Sequence, residues 1–188
     1  PLTAKQTMKQ FIAAVALFTI IVSTWGQTNY YSQTKTFEED GYTYQCNATP
    51  WGFVELYNKN NKLKGKFPAY RSTGKTYIEP EDGFHPVMEH DAKKRRKCQD
   101  IVRNAFTEQQ KSACKGGRRL YITCYINSDT GKIDEVCFEF FKTSGYVGIP
   151  ISVYRQIELG LKKEIQYGIT DLGKQLNFIF FWFDIEFH

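Results

Sequence analysis

The run of residues 176–187, which reads LNFIFFWFDIEF, restricts the fold more than any other part of the chain. Aromatic side chains are typical of strands rather than helices, so we predict one long strand here. Alternation along a strand assigns Phe178, Phe180 and Trp182 to one face and Ile179, Phe181, Phe183 and Ile185 to the other. An exposed edge that is apolar on both faces would aggregate. This strand must therefore be covered by the N-terminal hairpins, by a second copy or by a partner strand.

An amphipathic helix is predicted in the middle of the chain. Its apolar positions recur at helical spacing and are Cys98, Ile101, Val102, Ala105 and Phe106. Thr107 and Gln110 have the spacing of a capping box, which predicts a second short helix. Gly116 and Gly117 are expected to end that helix.

Two strands, a helix and the final strand follow in that order. Residues 120–126 and 132–141 are β-rich and flank a turn that contains glycine, which predicts a hairpin. A helical stripe follows, with Ser152 as its N-cap and its end near Gly168. If the final strand pairs beside the first strand of the hairpin, all neighbours are antiparallel and the helices cover one face of an α+β layer.

Parity within this hairpin separates two of the five cysteines. The residues expected to face the helix are Leu120, Ile122, Cys124, Ile126, Val136, Phe138 and Phe140. Cys137 then points to the other face, so no bond between Cys124 and Cys137 is expected. Export makes disulfides possible among the five cysteines, Cys46, Cys98, Cys114, Cys124 and Cys137, but their odd number leaves at least one thiol unpaired or shared with a partner. Small buried apolar groups are the plainer interpretation of most of them.

The first third of the chain predicts β-hairpins. Asp40 and Gly41 lie between β-forming runs, which is a strong hairpin signal. Residues 53–57 and 62–67 flank a polar turn and predict a second hairpin. Residues 79–91 predict a loop.

The N-terminus has the pattern of a secretory signal peptide. Met8, as the natural start, and Lys9 precede an apolar stretch at residues 11–22, and Thr24 and Gly26 occupy the −3 and −1 positions of a cleavage site. At 1.5 Å per residue this stretch spans only about 18 Å, short of the roughly 30 Å hydrocarbon core of a bilayer. A cleaved signal is therefore favoured over a membrane anchor. We predict export to the periplasm, the outer-membrane surface or the medium, with no stable membrane span after cleavage.

The chain divides into four segments. Residues 1–26 form the signal peptide, residues 27–35 a loose mature N-terminus, residues 36–92 a β-rich part and residues 93–188 an α+β part, the last two expected in one compact unit. Removing the signal lowers the net charge from +5 to about +3. That charge is too small to predict nucleic-acid binding.

Three motifs with known chemistry have plainer explanations. Residues 129–131 (DTG) match the triplet of aspartic proteases, but a hairpin turn accounts for them. Residues 72–76 (STGKT) end like a P-loop but lack its first glycine. His85, Glu89 and His90 are spaced one residue away from the zinc-protease motifs, and a solvated loop is favoured. We predict no catalytic residue, metal site or cofactor.

Two surface features are candidates for binding. The first is a basic run at a helix start, comprising Lys93, Lys94, Arg95, Arg96 and Lys97. Such a run suits anionic lipid, lipopolysaccharide or an acidic partner, although a solvated face also explains it. The second is a set of aromatic residues that would suit a glycan or form part of the core, namely Tyr30, Tyr31, Trp51, Tyr57, Tyr70 and Tyr77.

The C-terminal part resembles small exported proteins of unknown function from gut Bacteroidetes. The matching positions are Asp129, Gly131, Lys132, Ile133, Glu135, Val136, Ile157, Glu158, Leu161 and Lys162. The strand–strand–helix–strand order over residues 115–188 is also similar to the TonB C-terminal domain. The resemblance implies an envelope or secreted location and carries no catalytic residues.

We therefore expect an exported, non-catalytic envelope protein that acts by protein contact or self-association. The expected mode is strand addition at residues 176–187, with Phe178, Phe180 and Trp182 as binding residues. The idea fails if that strand is central and paired on both sides. A glycan-binding accessory protein is the first alternative, and a hydrolase with converging carboxylates is the second.

Overall fold

Six strands form one antiparallel sheet in the computed structural model, which describes residues 29–78, 86–89, 92–116 and 118–188. They are β1 (Lys35–Glu39), β2 (Tyr42–Ala48), β3 (Phe53–Asn58), β4 (Leu120–Ile126), β5 (Ile133–Phe141) and β6 (Ile179–Ile185). The order across the sheet is β1-β2-β3-β5-β4-β6, and all neighbours are antiparallel. The predicted α+β class is confirmed, and strands from both parts of the chain share this sheet.

Three α-helices lie among the described residues, namely α1 (Ala92–Ala105), α2 (Glu108–Ala113) and α3 (Ile151–Glu164). α1 is the predicted amphipathic helix and buries Cys98 and Val102. The capping box of α2 is confirmed. The Thr107 hydroxyl accepts the Gln110 N–H, and the Gln110 side chain accepts the Thr107 N–H.

The boundaries of α3 differ from the prediction. The N-cap is Pro150 rather than Ser152, because Pro150 is extended (φ −61°, ψ 151°) and the helix begins directly after it. The helix ends at Glu164, earlier than predicted. Beyond it the chain turns toward the β4–β5 turn, where the Tyr167 N–H donates to the Gly131 carbonyl at 2.9 Å.

One N-terminal hairpin is confirmed and the other is wrong. Asp40 (φ 47°) and Gly41 (φ 74°) are both left-handed, as a tight turn between β1 and β2 requires. β3 does not pair with the segment after it but with β2 and β5. In that segment the N–H groups of Lys62 and Leu63 donate to the carboxylate of Glu135 on β5, at 2.6 Å and 2.9 Å. These bonds hold the segment as a loop.

The main core lies between the sheet and helices α1 and α3. The parity prediction is confirmed, since Cys124 lies in this core and Cys137 lies in a smaller cluster on the opposite, outer face. All five cysteines are buried and unbonded: Cys46, Cys98, Cys114, Cys124 and Cys137. Burial raises the pKa of Cys46 to about 11 and that of Cys137 to about 12. These thiols therefore behave as small buried apolar groups.

The segment before β1 is anchored, which corrects the expectation of a loose N-terminus at residues 27–35. Within its described residues, Tyr31 is fully buried. The Tyr31 hydroxyl donates to the Ile149 carbonyl at 2.8 Å, and its ring lies 5.2 Å from that of Phe37. A buried aromatic ring with a satisfied hydroxyl fixes this segment against the core.

Candidate functional site

β6 is one of the two edges of the sheet, and among the described residues it pairs only with β4. The predicted position of the last strand, beside the first strand of the C-terminal hairpin, is confirmed. The strand covers Ile179–Ile185 and is shorter than the predicted run. One side of β6 therefore carries backbone groups that no described strand meets, and such an edge can pair with another chain.

The register identifies which residues direct their backbone groups to this open edge. The Lys142 N–H donates to the Gly52 carbonyl at 2.8 Å, which fixes the residues of β3 and β5 that bond to each other. Along a strand, successive residues point their N–H and C=O groups to opposite neighbouring strands. The registers of β3 with β5, β5 with β4 and β4 with β6 then show that the odd-numbered residues of β6 bond to β4. Phe180, Trp182 and Asp184 therefore direct their N–H and C=O groups to the open edge.

Two aromatic side chains beside this edge are exposed on the outer face. Phe180 is 41% exposed and Trp182 is 55% exposed. Phe178, which was predicted with them, is 3% exposed and packs against Tyr125 with 5.8 Å between ring centroids. The structure therefore groups Phe180 and Trp182 at the surface and assigns Phe178 to packing.

An apolar groove of about 400 Å³ lies where the open edge begins. Leu176, Ile179 and Phe180 line one side of it, and the other side is lined by Val87 and by the two ends of residues 67–78, which we call the strap. Phe67 of the strap is 71% exposed. The sequence analysis named Tyr77 of the strap only as a glycan or core candidate and missed Phe67 and Ile78 as groove residues, because the strap has no helical or strand periodicity.

Arg71 fixes the strap to the β4–β5 turn. Its guanidinium donates to both carboxylate oxygens of Asp129, at 2.8 Å and 2.9 Å, and to the Ser128 hydroxyl at 2.7 Å. It also donates to the Leu176 carbonyl at 2.7 Å, and Tyr70 forms a β-bridge with Leu176. The hydrogen bonds from Arg71 hold the pKa of Asp129 below its ordinary value. The DTG triplet therefore belongs to a turn that receives the strap.

The basic run at residues 93–97 lies in the first turns of α1, on the helix side of β6. The Lys94 ammonium is 5.8 Å from the centroid of the Tyr167 ring, and that ring is 5.7 Å from the ring of Phe181 in β6. The basic and aromatic candidates therefore lie on the two sides of the same sheet edge.

The aromatic residues of the glycan alternative do not form one group. Trp51 is 86% exposed in the turn between β2 and β3. Tyr70 and Tyr77 pack against each other, with 5.8 Å between centroids, beside the groove at the opposite end of the sheet. Tyr31 is in the core. These positions form no shared concave surface.

Two glutamates on the outer face come nearest to the carboxylate pair that a hydrolase would need. Glu55 and Glu139 are register partners on β3 and β5. Burial and the charge of Glu55 raise the pKa of Glu139. Burial also acts to raise the pKa of Glu55, but hydrogen bonds from Lys64 and Asn47 lower it overall. Neither carboxylate lines the groove.

A buried charged cluster joins α3 to β2, and the sequence analysis did not predict it. Glu158 is fully buried, and its carboxylate accepts hydrogen bonds from the Tyr44 hydroxyl, from Arg155 at 2.9 Å and from Lys162 at 2.7 Å. The Arg155 guanidinium also lies over the Tyr42 ring at 3.4 Å. Helical spacing could have revealed the ion pairs, whereas Tyr44 is distant in sequence.

Three further expectations concern a metal site, a membrane-spanning helix and residues outside the described ranges. Across the described ranges, no group of three or more His, Cys, Asp or Glu residues could hold a metal ion. Within the same ranges, no helix is both long and apolar enough to cross a bilayer. The predicted signal peptide at residues 1–26, together with His85 and His90, lies outside the described residues.

Comparison with known proteins places the chain in a family. Residues 27–183 match the family described as Domain of unknown function (DUF5043). The chain belongs to the DUF5043 family. It is similar to the crystal structure of a DUF5043 family protein from Bacteroides uniformis ATCC 8492, with 40% sequence identity and a TM-score of 0.77. That match covers 85% of this chain and 94% of the other, and no curated protein matches the sequence.

The family membership supports part of the resemblance drawn from the sequence. A DUF5043 relative from a Bacteroides species agrees with the expected likeness to Bacteroidetes proteins of unknown function. The similarity to the TonB C-terminal domain stays a prediction. The description of the DUF5043 family gives no function.

Proposed function

We propose that this protein is an exported, non-catalytic envelope protein that binds a protein partner by strand addition at β6. One observation carries the proposal: β6 is a sheet edge whose outward backbone groups lie beside two exposed aromatic side chains, Phe180 and Trp182. In strand addition, main-chain hydrogen bonds provide affinity, and pockets for alternate side chains provide specificity. β6 offers the first, and the neighbouring groove offers the second.

The strap sets one limit of the open stretch. The Asn177 N–H donates to the Ala69 carbonyl at 3.0 Å, and Leu176 forms its bridge with Tyr70. The edge is therefore occupied just before β6 and becomes open at the strand itself, which has 7 residues. A partner strand of ordinary length fits this stretch, and its end reaches the groove.

Export is supported by the N-terminal pattern of the sequence. Met8, Lys9 and the apolar stretch at residues 11–22 lead to a small-residue cleavage site that ends at Gly26. The match to the DUF5043 family begins at residue 27, directly after that site. N-terminal sequencing of the protein from the cells that make it should give a chain that starts after Gly26. An unprocessed chain in the cytosol would contradict this part of the proposal.

Site-specific photo-crosslinking tests the binding mode. The photoreactive residue p-benzoylphenylalanine replaces Trp182 in the full chain, and illumination takes place in the cells that make the protein. The matched control has the same residue in place of Glu38 on β1, the other sheet edge, which is also exposed. We expect a discrete protein adduct from position 182 and none from position 38. Equal adduct yields at both positions would refute the proposal.

A pair of variants at Phe180 separates backbone pairing from side-chain contact. Phe180→Pro removes an N–H that faces the open edge and leaves the hydrogen bonds to β4 in place. Phe180→Ala removes the same ring but keeps that N–H. We expect the adduct to fall about tenfold with proline, and by less with alanine. An adduct that both variants reduce equally would show contact without strand addition; thermal melts establish that both variants remain folded.

A further inference from the structure

We infer that the partner strand carries acidic side chains on the positions that face α1 and apolar side chains on the positions that face Phe180 and Trp182. This inference rests on the proposed function and specifies the chemistry of the partner. Side chains alternate between the two faces of an added strand. The outer face of the open edge offers aromatic rings, whereas the helix face offers a basic row of two arginines of α1, Arg95 and Arg103.

The position of α1 brings its outer side to the β6 edge. α3 packs over β5 and β1, whereas α1 packs over β6, so α1 is the outermost helix on this side of the sheet. On one side α1 contacts α3, where Lys97 pairs with Glu164 at 3.3 Å and Ile101 lies against Gly160. Because β6 is the edge strand, the opposite side of α1 lies toward the open edge.

That opposite side carries Arg95, Gln99 and Arg103, which recur at i, i+4 and i+8. The Arg103 guanidinium lies over the ring of Phe187, just beyond β6, at 5.6 Å. Burial raises the pKa of the Tyr167 hydroxyl, and the nearby charge of Arg95 acts in the opposite direction. Arg103 therefore lies beside the C-terminal end of β6, and Arg95 lies about two helical turns earlier on the same side of α1.

Neither Arg95, Arg96 nor Arg103 forms an ion pair with any carboxylate in the described part of the chain. A basic row beside an open strand edge selects a strand with carboxylates on the same side, because complementary charge favours that partner over neutral or basic strands.

The same row disfavours a second copy of this chain as the occupant. Two β6 strands that extend one sheet are related by a twofold axis perpendicular to it, so both copies keep α1 on the same face. The two arginine rows would then meet across the junction. The residues of a second β6 on that face would be Ile179, Phe181, Phe183 and Ile185, none of which is acidic. We therefore assign the edge to a different protein.

Three labelled peptides of eight residues test the charge preference against the purified full chain by fluorescence anisotropy. They alternate Glu with Val, Thr with Val, and Lys with Val. We expect the Glu–Val peptide to bind about tenfold more tightly than the Thr–Val peptide, and the Lys–Val peptide to bind most weakly. The preference should shrink as salt rises, because the charges are near the surface.

Charge variants identify the residues responsible. The double variant Arg95→Glu/Arg103→Glu should reverse the order of the three peptides. Arg95→Lys/Arg103→Lys should keep the acidic preference, which separates charge from loss of folding. The matched control Lys59→Glu/Lys163→Glu changes the net charge equally at two exposed lysines away from β6 and should leave the order unchanged.

The outcomes separate this inference from the proposed function. Equal binding of all three peptides would overturn the inference and leave strand addition in place. A Glu–Val preference that survives the Arg95→Glu/Arg103→Glu variant would also overturn it. If no peptide binds but position 182 still gives a crosslink, the inference is overturned and the proposed function is not. A dimer in sedimentation velocity that Phe180→Pro dissociates would show that a second copy occupies the edge, and would overturn it as well.

Discussion

The two edge strands, β1 and β6, both carry backbone groups that no described strand meets and that could pair with another chain, but their side chains differ. β1, which reads KTFEE, carries charged side chains at Lys35, Glu38 and Glu39. β6, which reads IFFWFDI, has one charged residue, Asp184, which pairs with Arg119 at 3.2 Å. Charged residues on an edge discourage pairing with other chains, and β1 follows that rule. β6 does not follow it, although it is the longer strand.

The difference between the edges shows that exposure at β6 is not a general property of this sheet. At β1 the chain protects its backbone groups with charge and anchors the preceding segment through Tyr31. At β6 it exposes Phe180 and Trp182 and leaves a groove at the start of the strand. This difference between the edges is the observation that supports the proposed partner at β6.

The largest expected effect is on the free energy of unfolding, when a core side chain of either edge strand is truncated. Phe183→Ala should lower the free energy of unfolding by about 3–5 kcal/mol, because Phe183 is fully buried on the helix-facing side of β6. Phe37→Ala, the corresponding change in β1, should cost only about 1–2 kcal/mol, because that ring is half-buried. Urea unfolding of both variants measures the difference. Equal losses would mean that β1 is as integral to the core as β6.

The second effect concerns acid and the β1 side of the molecule. Burial acts to raise the pKa of Glu158, but hydrogen bonds from Lys162, Tyr44 and Arg155 lower it overall from its ordinary value of 4.5. A carboxyl with a lowered pKa in the fold stabilises it fully above the unfolded value, and this contribution is lost as the pH falls below about 4.5. The β1–β2 side should therefore loosen in acid before β6 does.

Hydrogen exchange followed from pH 6 to pH 3 measures that order. Glu158→Gln should already cost about 3 kcal/mol at neutral pH, because it leaves the charge of buried Arg155 unpaired. The variant should also remove most of the pH dependence at β2. If β6 loses protection first in the natural protein, the buried cluster does not control acid stability.

Local patterns predicted the fold where neighbours in sequence determine the structure. The left-handed pair Asp40 and Gly41, the capping box at Thr107 and the parity of Cys124 and Cys137 each depend on a few adjacent residues or on strand alternation. For the same reason the aromatic half of the candidate site, Phe180 and Trp182, was accessible from the sequence.

Long-range polar contacts account for what the sequence could not predict. The loop after β3 looked like a strand, but Glu135, which is 73 residues away from Lys62, takes up its backbone donors. The strap that forms one wall of the groove is joined to the β4–β5 turn by Arg71, which reaches Asp129 across 58 residues. No periodicity encodes such a pairing, and a single sequence does not show which distant polar groups meet.

The third effect concerns the strap that forms one wall of the groove at β6. Arg71→Ala removes the donors that join the strap to Asp129, Ser128 and Leu176. We expect about tenfold faster amide exchange at Tyr70 and its neighbours, since the strap then has fewer contacts that must open. Lys75→Ala, an exposed change in the same strap, is the control. Unchanged exchange in the Arg71 variant would show that the apolar contacts of the groove hold the strap without it.

The last two variants exchange the side-chain character of the two edges, and they should have the smallest effect on stability. Trp182→Lys gives β6 the kind of charge that protects β1, and Glu38→Trp gives β1 the kind of ring that marks β6. Both side chains are exposed, so each change should alter the free energy of unfolding by no more than about 0.5 kcal/mol. Association should change far more: light scattering should show that Glu38→Trp self-associates as its concentration rises, whereas Trp182→Lys stays monomeric and binds the Glu–Val peptide less tightly. If Glu38→Trp stays monomeric, charge is not what protects β1, and the two edges differ instead in how their backbones are covered.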